Sequence, residues 1–169
     1  MRSVELLVVL RLVSWRKSKW TYAELAQSLY LGEGQTHGAV KGAAQSGFFD
    51  LDQKTILYGN LMEFIEHGVK YAFAAQATGE VVGVRTGPDA EPMRSQFAAG
   101  SGLPFVWDAP DLGQITGVAL PPLHRVVPRV AIDDHRFHEL LALIDVLRLR
   151  QSARHMNLAL RLLKERLRA

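Results

Sequence analysis

Residues 21–49, TYAELAQSLYLGEGQTHGAVKGAAQSGFF, restrict the fold more than any other stretch of the chain. Thr21 and Glu24 have the spacing of a capping box, in which a threonine hydroxyl and a glutamate side chain satisfy free N–H groups at a helix start. Leu25, Ala26 and Leu29 then give a short helix its buried face, and Gly32 breaks it. A second helix is expected from about Glu33 to Ser46, with Ala39, Val40, Ala43 and Ala44 inward and Gly47 as the glycine just past its end. Two helices that cross steeply through a turn need a small residue at the crossing, here Ala26, and a glycine in or near the turn. The second helix also contains Gly34, Gly38 and Gly42, each costing ~1 kcal/mol relative to alanine. Such a helix is either held by packing or shaped for close approach of its backbone to a ligand.

The flanking segments extend a mainly α reading with a small β-hairpin. Leu6, Leu7, Leu10 and Val13 recur at helical spacing and define a first helix ending near Trp15, followed by the polar connector Arg16-Lys17-Ser18-Lys19. Asn60 to His67 reads as a further helix, with Leu61, Phe64 and Ile65 inward and Gly68 as its stop. The β-prone runs Val69–Phe73 and Glu80–Arg85 suggest a hairpin. Residues 88–132, which hold all seven of the chain's prolines, read as an irregular Pro/Gly-rich segment with one strand at Gln114–Leu120. Asp134 is a good N-cap for a helix running from His135 to about Leu149. Ser152 offers a second cap, so residues 133–169 form two helices with a turn near Arg150, or one long helix. The expected division is 1–87, 88–132 and 133–169.

The buried pattern of residues 21–49 resembles the helix-turn-helix of MarR-like winged-helix bacterial regulators. Ala26 and Leu29 match the first helix, Leu31 the turn, Ala39 and Val40 the second helix, and Gly47-Phe48-Phe49 the approach to the wing. The usual Ser/Thr cap of the second helix is replaced by Gly32. The wider pattern, with EFIEHGVKYAF after the motif and HELLALIDVLRLRQSARHMNLAL near the end, resembles uncharacterised bacterial regulator-like proteins. The resemblance implies an N-terminal winged helix-turn-helix with C-terminal helices, binding double-stranded DNA as a homodimer, most simply a repressor at an inverted repeat.

On that reading Gln35, Thr36, His37, Lys41 and Gln45 face the major groove, where Gln can bond adenine bidentately, Thr can touch a thymine methyl, and Lys can reach guanine or phosphate. Lys17, Lys19, Thr21 and Tyr22 flank the DNA backbone and set register. Lys70 and Arg85, on the 69–85 hairpin, are the wing contacts, although the helix at 60–67 interrupts the usual direct passage from second helix to wing. The apolar stripes of the first and last helices are the expected dimer surface. Arg148, Arg150 and Arg154 cluster at the C-terminal turn as a site for an anion or an acidic partner. They support the alternative of an antitoxin-like or adaptor module that grips a protein.

Charge agrees in distribution more than in amount. The net charge is +3, with six Lys/Arg against four Asp/Glu in residues 1–50 and eight against four in 134–169, around an acidic middle. The chain has no cysteine, which excludes disulfide scaffolds, thiolate metal sites and cysteine nucleophiles and is compatible with a cytoplasmic setting. The run Val4–Val13 is interrupted by Glu5 and Arg11, so it reads as a helix of the fold rather than a signal peptide, and no membrane span is expected. No phosphate loop, dinucleotide fingerprint or nucleophile elbow occurs. The expectation is therefore a protein without catalysis, cofactor or metal.

Overall fold

A computed structural model describes residues 1–168. The chain is mainly helical. Helix α1 (Ser3–Trp15) is followed by α2 (Tyr22–Ser28), α3 (Glu33–Gln45) and a two-stranded antiparallel hairpin, β1 (Phe49–Asp50) and β2 (Thr55–Ile56), with Phe49 opposite Ile56 and Asp50 opposite Thr55. Next come α4 (Tyr58–Glu63), a π-helical turn (Phe64–Gly68) and α5 (Val69–Ala72). Strands β3 (Glu80–Arg85), β4 (Phe105–Asp108) and β5 (Ile115–Ala119) form a second sheet, and α6 (Val127–Asp133), α7 (His135–Arg148) and α8 (Ala153–Arg168) complete the chain.

Helix α1 is the centre of the core. Every residue from Val4 to Val13 is buried, because α3 covers one side and α7 another, with α2 and β2 closing the remainder. A helix apolar almost all round is stable only when enclosed in this way. Its two charged residues are compensated. Glu5 pairs with Arg2 at 2.8 Å, and the buried Arg11 reaches Asp134 at 2.6 Å and the Ser28 hydroxyl at 3.2 Å. The guanidinium of Arg11 also lies 5.2 Å from the Trp15 ring and 5.0 Å from Phe137. One side chain thereby ties α1 to α2 and to the start of α7. The expectation that α1 supplies a dimer surface fails for this reason: its apolar residues are consumed inside the monomer.

The segment 58–85 departs from the expected hairpin. The helical path does not stop at Gly68. It loosens into one π turn and resumes, with Val69 buried and the Phe73 amide bonded to the Val69 carbonyl at 2.9 Å. The ring of Phe64 occupies the space a side chain at Gly68 would need, 2.5 Å from where its Cβ would stand, so this glycine lets the helix pass beneath the ring. Val69–Phe73 is thus not a strand, and Glu80–Arg85 pairs elsewhere.

Its partners are β4 and β5, both antiparallel to it, while β4 and β5 lie parallel to each other, so three strands close on themselves. Gly83 sits at the closure, opposite both Asp108 and Ile115. A Cβ there would fall 1.7 Å from the Trp107 carbonyl oxygen, so only glycine permits the approach. The segment 88–132 is consequently more ordered than expected, and the boundary at residue 87 runs through a single sheet.

Helix α7 locks the sheet onto the helices. Asp145, fully enclosed, accepts hydrogen bonds from the Trp107 indole and the Thr86 hydroxyl, both at 2.7 Å, and from Arg148 at 2.5 Å. Burial pushes the Asp145 carboxyl above its usual range, against the pull of Arg148 and the two neutral donors. Arg148 also donates to the Phe73 carbonyl at 2.9 Å. Two helices separated by a turn occupy the C-terminus, as the Ser152 cap suggested, and Arg150 takes a left-handed backbone (φ 51°) in that turn. No helix among the described residues is long and apolar enough to cross a membrane.

Candidate nucleic-acid interface

The Thr21–Glu24 capping box forms as expected, with the Glu24 amide bonded to Thr21 Oγ1 at 3.1 Å and the Thr21 amide bonded to Glu24 Oε2 at 2.8 Å. Those Thr21 contacts hold the Glu24 carboxyl below its usual range. Helix α2 buries Leu25 and Ala26, and the turn is made by Leu29, Tyr30 in a left-handed conformation (φ 53°) and Leu31, whose amide returns to the Ala26 carbonyl. Tyr30 donates to Asp133 and lies 5.4 Å from the Arg129 guanidinium, so α6 braces the turn from outside.

Helix α3 turns Thr36, Ala39, Val40 and Ala43 inward. Thr36 therefore does not belong to the outward face. It is wholly buried, and its hydroxyl donates back to the Gly32 carbonyl at 3.0 Å, at a helix start that has no side-chain cap. Gln35, His37, Lys41 and Gln45 are exposed. The glycines divide into two kinds. Gly42 lies against α1, where an added Cβ would fall 2.3 Å from the Glu5 carboxylate, whereas Gly34 and Gly38 open onto empty space.

A row of aromatic contacts holds the unit together. His37 stacks on Tyr22 at 3.5 Å, Tyr22 meets Trp20 edge-on at 5.2 Å, and Trp20 meets Phe49 at 6.1 Å. The row runs from α3 through α2 and the connector to β1. Offset or edge-to-face pairs of this kind are each worth ~0.5–1.5 kcal/mol beyond their burial. His37 and Tyr22 are therefore partly committed to each other, and the free polar groups of the face are Gln35, Lys41 and Gln45.

After α3, Gly47 (φ 77°) reverses the chain, and the Asn60 side chain caps its carbonyl at 2.7 Å. The β1–β2 hairpin follows at once. Its turn is held by the Asp50 carboxylate, which accepts from the amides of Asp52 and Gln53 at 2.9 and 2.8 Å, and Lys54 stands exposed in a left-handed position (φ 50°). Between this hairpin and the α1–α2 connector lies a cleft of about 460 Å³, lined by Arg16, Lys17, Lys54, Trp20 and Tyr58 among others. Lys19 and Thr21 are exposed beside it. Lys54 was not singled out in the sequence, since a two-residue strand has no periodicity to reveal it, and Arg16 was read only as part of the polar connector. The signals were Gly47-Phe48-Phe49 before it and Asp50 followed by a short polar run.

The remaining candidates lie apart from this face. Lys70 is on α5, its ammonium 5.3 Å from the Tyr71 ring, and Arg85 ends β3, so neither occupies a wing. Arg148 is buried and spent on Asp145 and Phe73, which removes it from any anion or partner site. Arg150 and Arg154 are exposed, the latter 5.1 Å from the Phe97 ring. His135, His138 and Glu139 do not converge on one point with Asp133 and Asp134. His135 pairs with Glu139 at 3.2 Å, and His138 bonds the Arg85 carbonyl at 2.8 Å. Among the described residues no group of three potential metal ligands assembles. No family model, curated protein or solved structure matches the chain.

Proposed function

We propose that this chain is a winged helix-turn-helix DNA-binding regulator without catalytic activity, acting as a homodimeric repressor. The observation that carries the proposal is the direct sequence α2, turn, α3, hairpin, with α3 anchored on one face and polar on the other. A helix presented this way fits a major groove ~12 Å wide. On this reading the wing is the β1–β2 hairpin, not the 69–85 segment, and the direct passage from α3 to hairpin removes the anomaly of an intervening helix. Gln35, Lys41 and Gln45 read bases. Lys17, Lys19, Thr21 and Lys54 contact phosphates, and the Tyr22–His37 stack stiffens the edge between them.

The test is a titration of the purified protein against its own promoter and against random duplex at two salt concentrations. Promoter binding is expected to be tighter and to weaken with salt as counterions are released. Lys41→Ala should weaken it by about 1–3 kcal/mol if Lys41 bonds a base, or lower the salt slope by about one if it bonds a phosphate. Equal affinity for both duplexes, or none, overturns the reading. The adaptor alternative would then be favoured by the exposed Arg150 and Arg154 beside the half-buried Met156 and Leu158 of α8. Its signature is loss of a co-purifying protein on changing those arginines.

A further inference from the structure

A second concave surface lies on the β3–β5 side of the molecule, on elements that take no part in the proposed DNA face. It encloses about 570 Å³, and its walls include Arg85, Asp89, Arg94, Phe97, Phe105 and His155. That volume falls within the range of sites for small organic ligands, about 300–1,000 Å³.

The wall is charged asymmetrically. Among the described residues neither Arg85 nor Arg94 stands within ion-pair distance of a carboxylate. Asp89 lines the same cavity and offsets one of the two charges; its carboxylate accepts the Phe105 amide at 2.8 Å, which fixes the start of β4 and leaves the arginines in excess. Two arginines lining one cavity suit an oxyanion, since a guanidinium can bond it through a planar pair of donors. A phosphate monoester carries about −1.5 to −2 at neutral pH and would match both.

The rest of the wall includes two phenylalanines and Pro88, with the Arg154 guanidinium 5.1 Å from the Phe97 ring. Phe97 is half-buried and stacks on His155 at 4.3 Å with the planes 25° apart, and Phe105 and Pro88 are half-buried beside it. Aromatic surface of this kind takes up a planar ring by stacking, without a requirement for one particular base.

We propose that this cavity binds a nucleoside monophosphate, its phosphate on Arg85 and Arg94 and its base against the Phe97–Phe105 wall. Arg85 is a clean position to probe. Its backbone carbonyl anchors His138, whereas its side chain makes no hydrogen bond among the described residues, so Arg85→Gln should leave the fold intact.

The experiment is calorimetric titration of the full chain, without DNA, with the four common ribonucleoside 5′-monophosphates, adenosine and inorganic phosphate. At least one nucleotide should bind, with adenosine and phosphate each weaker by tenfold or more. Arg85→Gln and Arg94→Gln should each weaken that nucleotide by tenfold or more, and Phe97→Leu by a smaller factor. Unchanged thermal midpoints of the unliganded arginine variants would exclude misfolding as the cause. Absence of binding by all four nucleotides, equal binding of inorganic phosphate, or affinity indifferent to both arginines overturns the proposal. Because no DNA enters the measurement, its outcome is independent of the DNA-binding reading.

Discussion

Gly34, Gly38 and Gly42 recur every four residues along α3, yet their surroundings assign them opposite roles. Gly42 lies against α1, and the Glu5 side chain fills the space beyond it. Gly34 and Gly38 face nothing. Alanine at either open position therefore meets no obstacle and should stabilise the protein by about 0.5–1 kcal/mol through helix propensity, read as a raised thermal midpoint. If α3 enters a groove, the same Gly38→Ala substitution should weaken promoter binding, because the methyl group holds the backbone away from the DNA. A stabilised protein with unchanged DNA affinity would place the contact surface elsewhere. Sequence alone left all three glycines between packing and close approach, since spacing along a helix reports the face but not what stands opposite it.

Among the elements, the closed three-stranded sheet is the most exacting, because it depends on backbone passing backbone with no side chain between. Gly83→Ala should cost about 3 kcal/mol, at the upper end of overpacking penalties, since the obstructing atom is the Trp107 carbonyl and not a movable side chain. Chemical denaturation would measure it, and a cost below about 1 kcal/mol would mean the strands can part without loss. Local signals located β3 and β5 well: Glu80–Arg85 and the Gln114–Leu120 run both proved to be strands. What they could not supply was the pairing. Val69–Phe73 has strand composition but stays helical, because Phe64 folds over Gly68 and Val69 is drawn into the core. The wing-like hairpin went unrecognised for the converse reason, being two residues per strand and held by the Asp50 turn.

At the scale of the whole molecule, helices and sheet are joined through α7, and its charged and polar residues set how stability responds to pH. His138 is half-buried, tilted against the Trp107 ring at 5.3 Å and bonded to the Arg85 carbonyl. Burial lowers its pKa below the ordinary histidine value, outweighing the Arg85 bond and the nearby Glu139 and Asp145, with His135 acting in the same direction as burial. The folded state thus binds a proton less readily than the unfolded one. The His138 contribution is fully present above about pH 6.5, the unfolded value, and is lost as pH falls through the lower folded value. His124 is shifted the same way, by desolvation and by Arg125. The two histidines lower the thermal midpoint from pH 7.5 to 5.5, and the raised Asp145 carboxyl acts the opposite way. His138→Gln should make the midpoint fall less over that range than in the unsubstituted protein. An unaltered slope in the variant would show that His138 carries no linked proton. A second global prediction concerns Arg148. Arg148→Ala strands the Asp145 carboxylate in the core and should cost about 3–5 kcal/mol, measurable by denaturant titration.

Taken by itself, the sequence determined the features whose causes lie within a few residues of each other. The Thr21–Glu24 box, the Gly47 reversal, the Asp134 cap and the break near Arg150 all formed where local hydrogen bonding and backbone preference require. The apolar spacing of α1, α2, α3 and α7 identified their helices for the same reason. Tertiary structure decided everything that depends on a partner distant in the chain. It enclosed α1, turned Thr36 inward, paired β3 with strands beyond residue 100, and brought Arg148 to Asp145 and Phe73. It also brought Arg85 and Arg94 to the same cavity as Phe97 and His155. Local preferences act over one turn or one hairpin, whereas burial and charge compensation are satisfied only when the whole chain has closed.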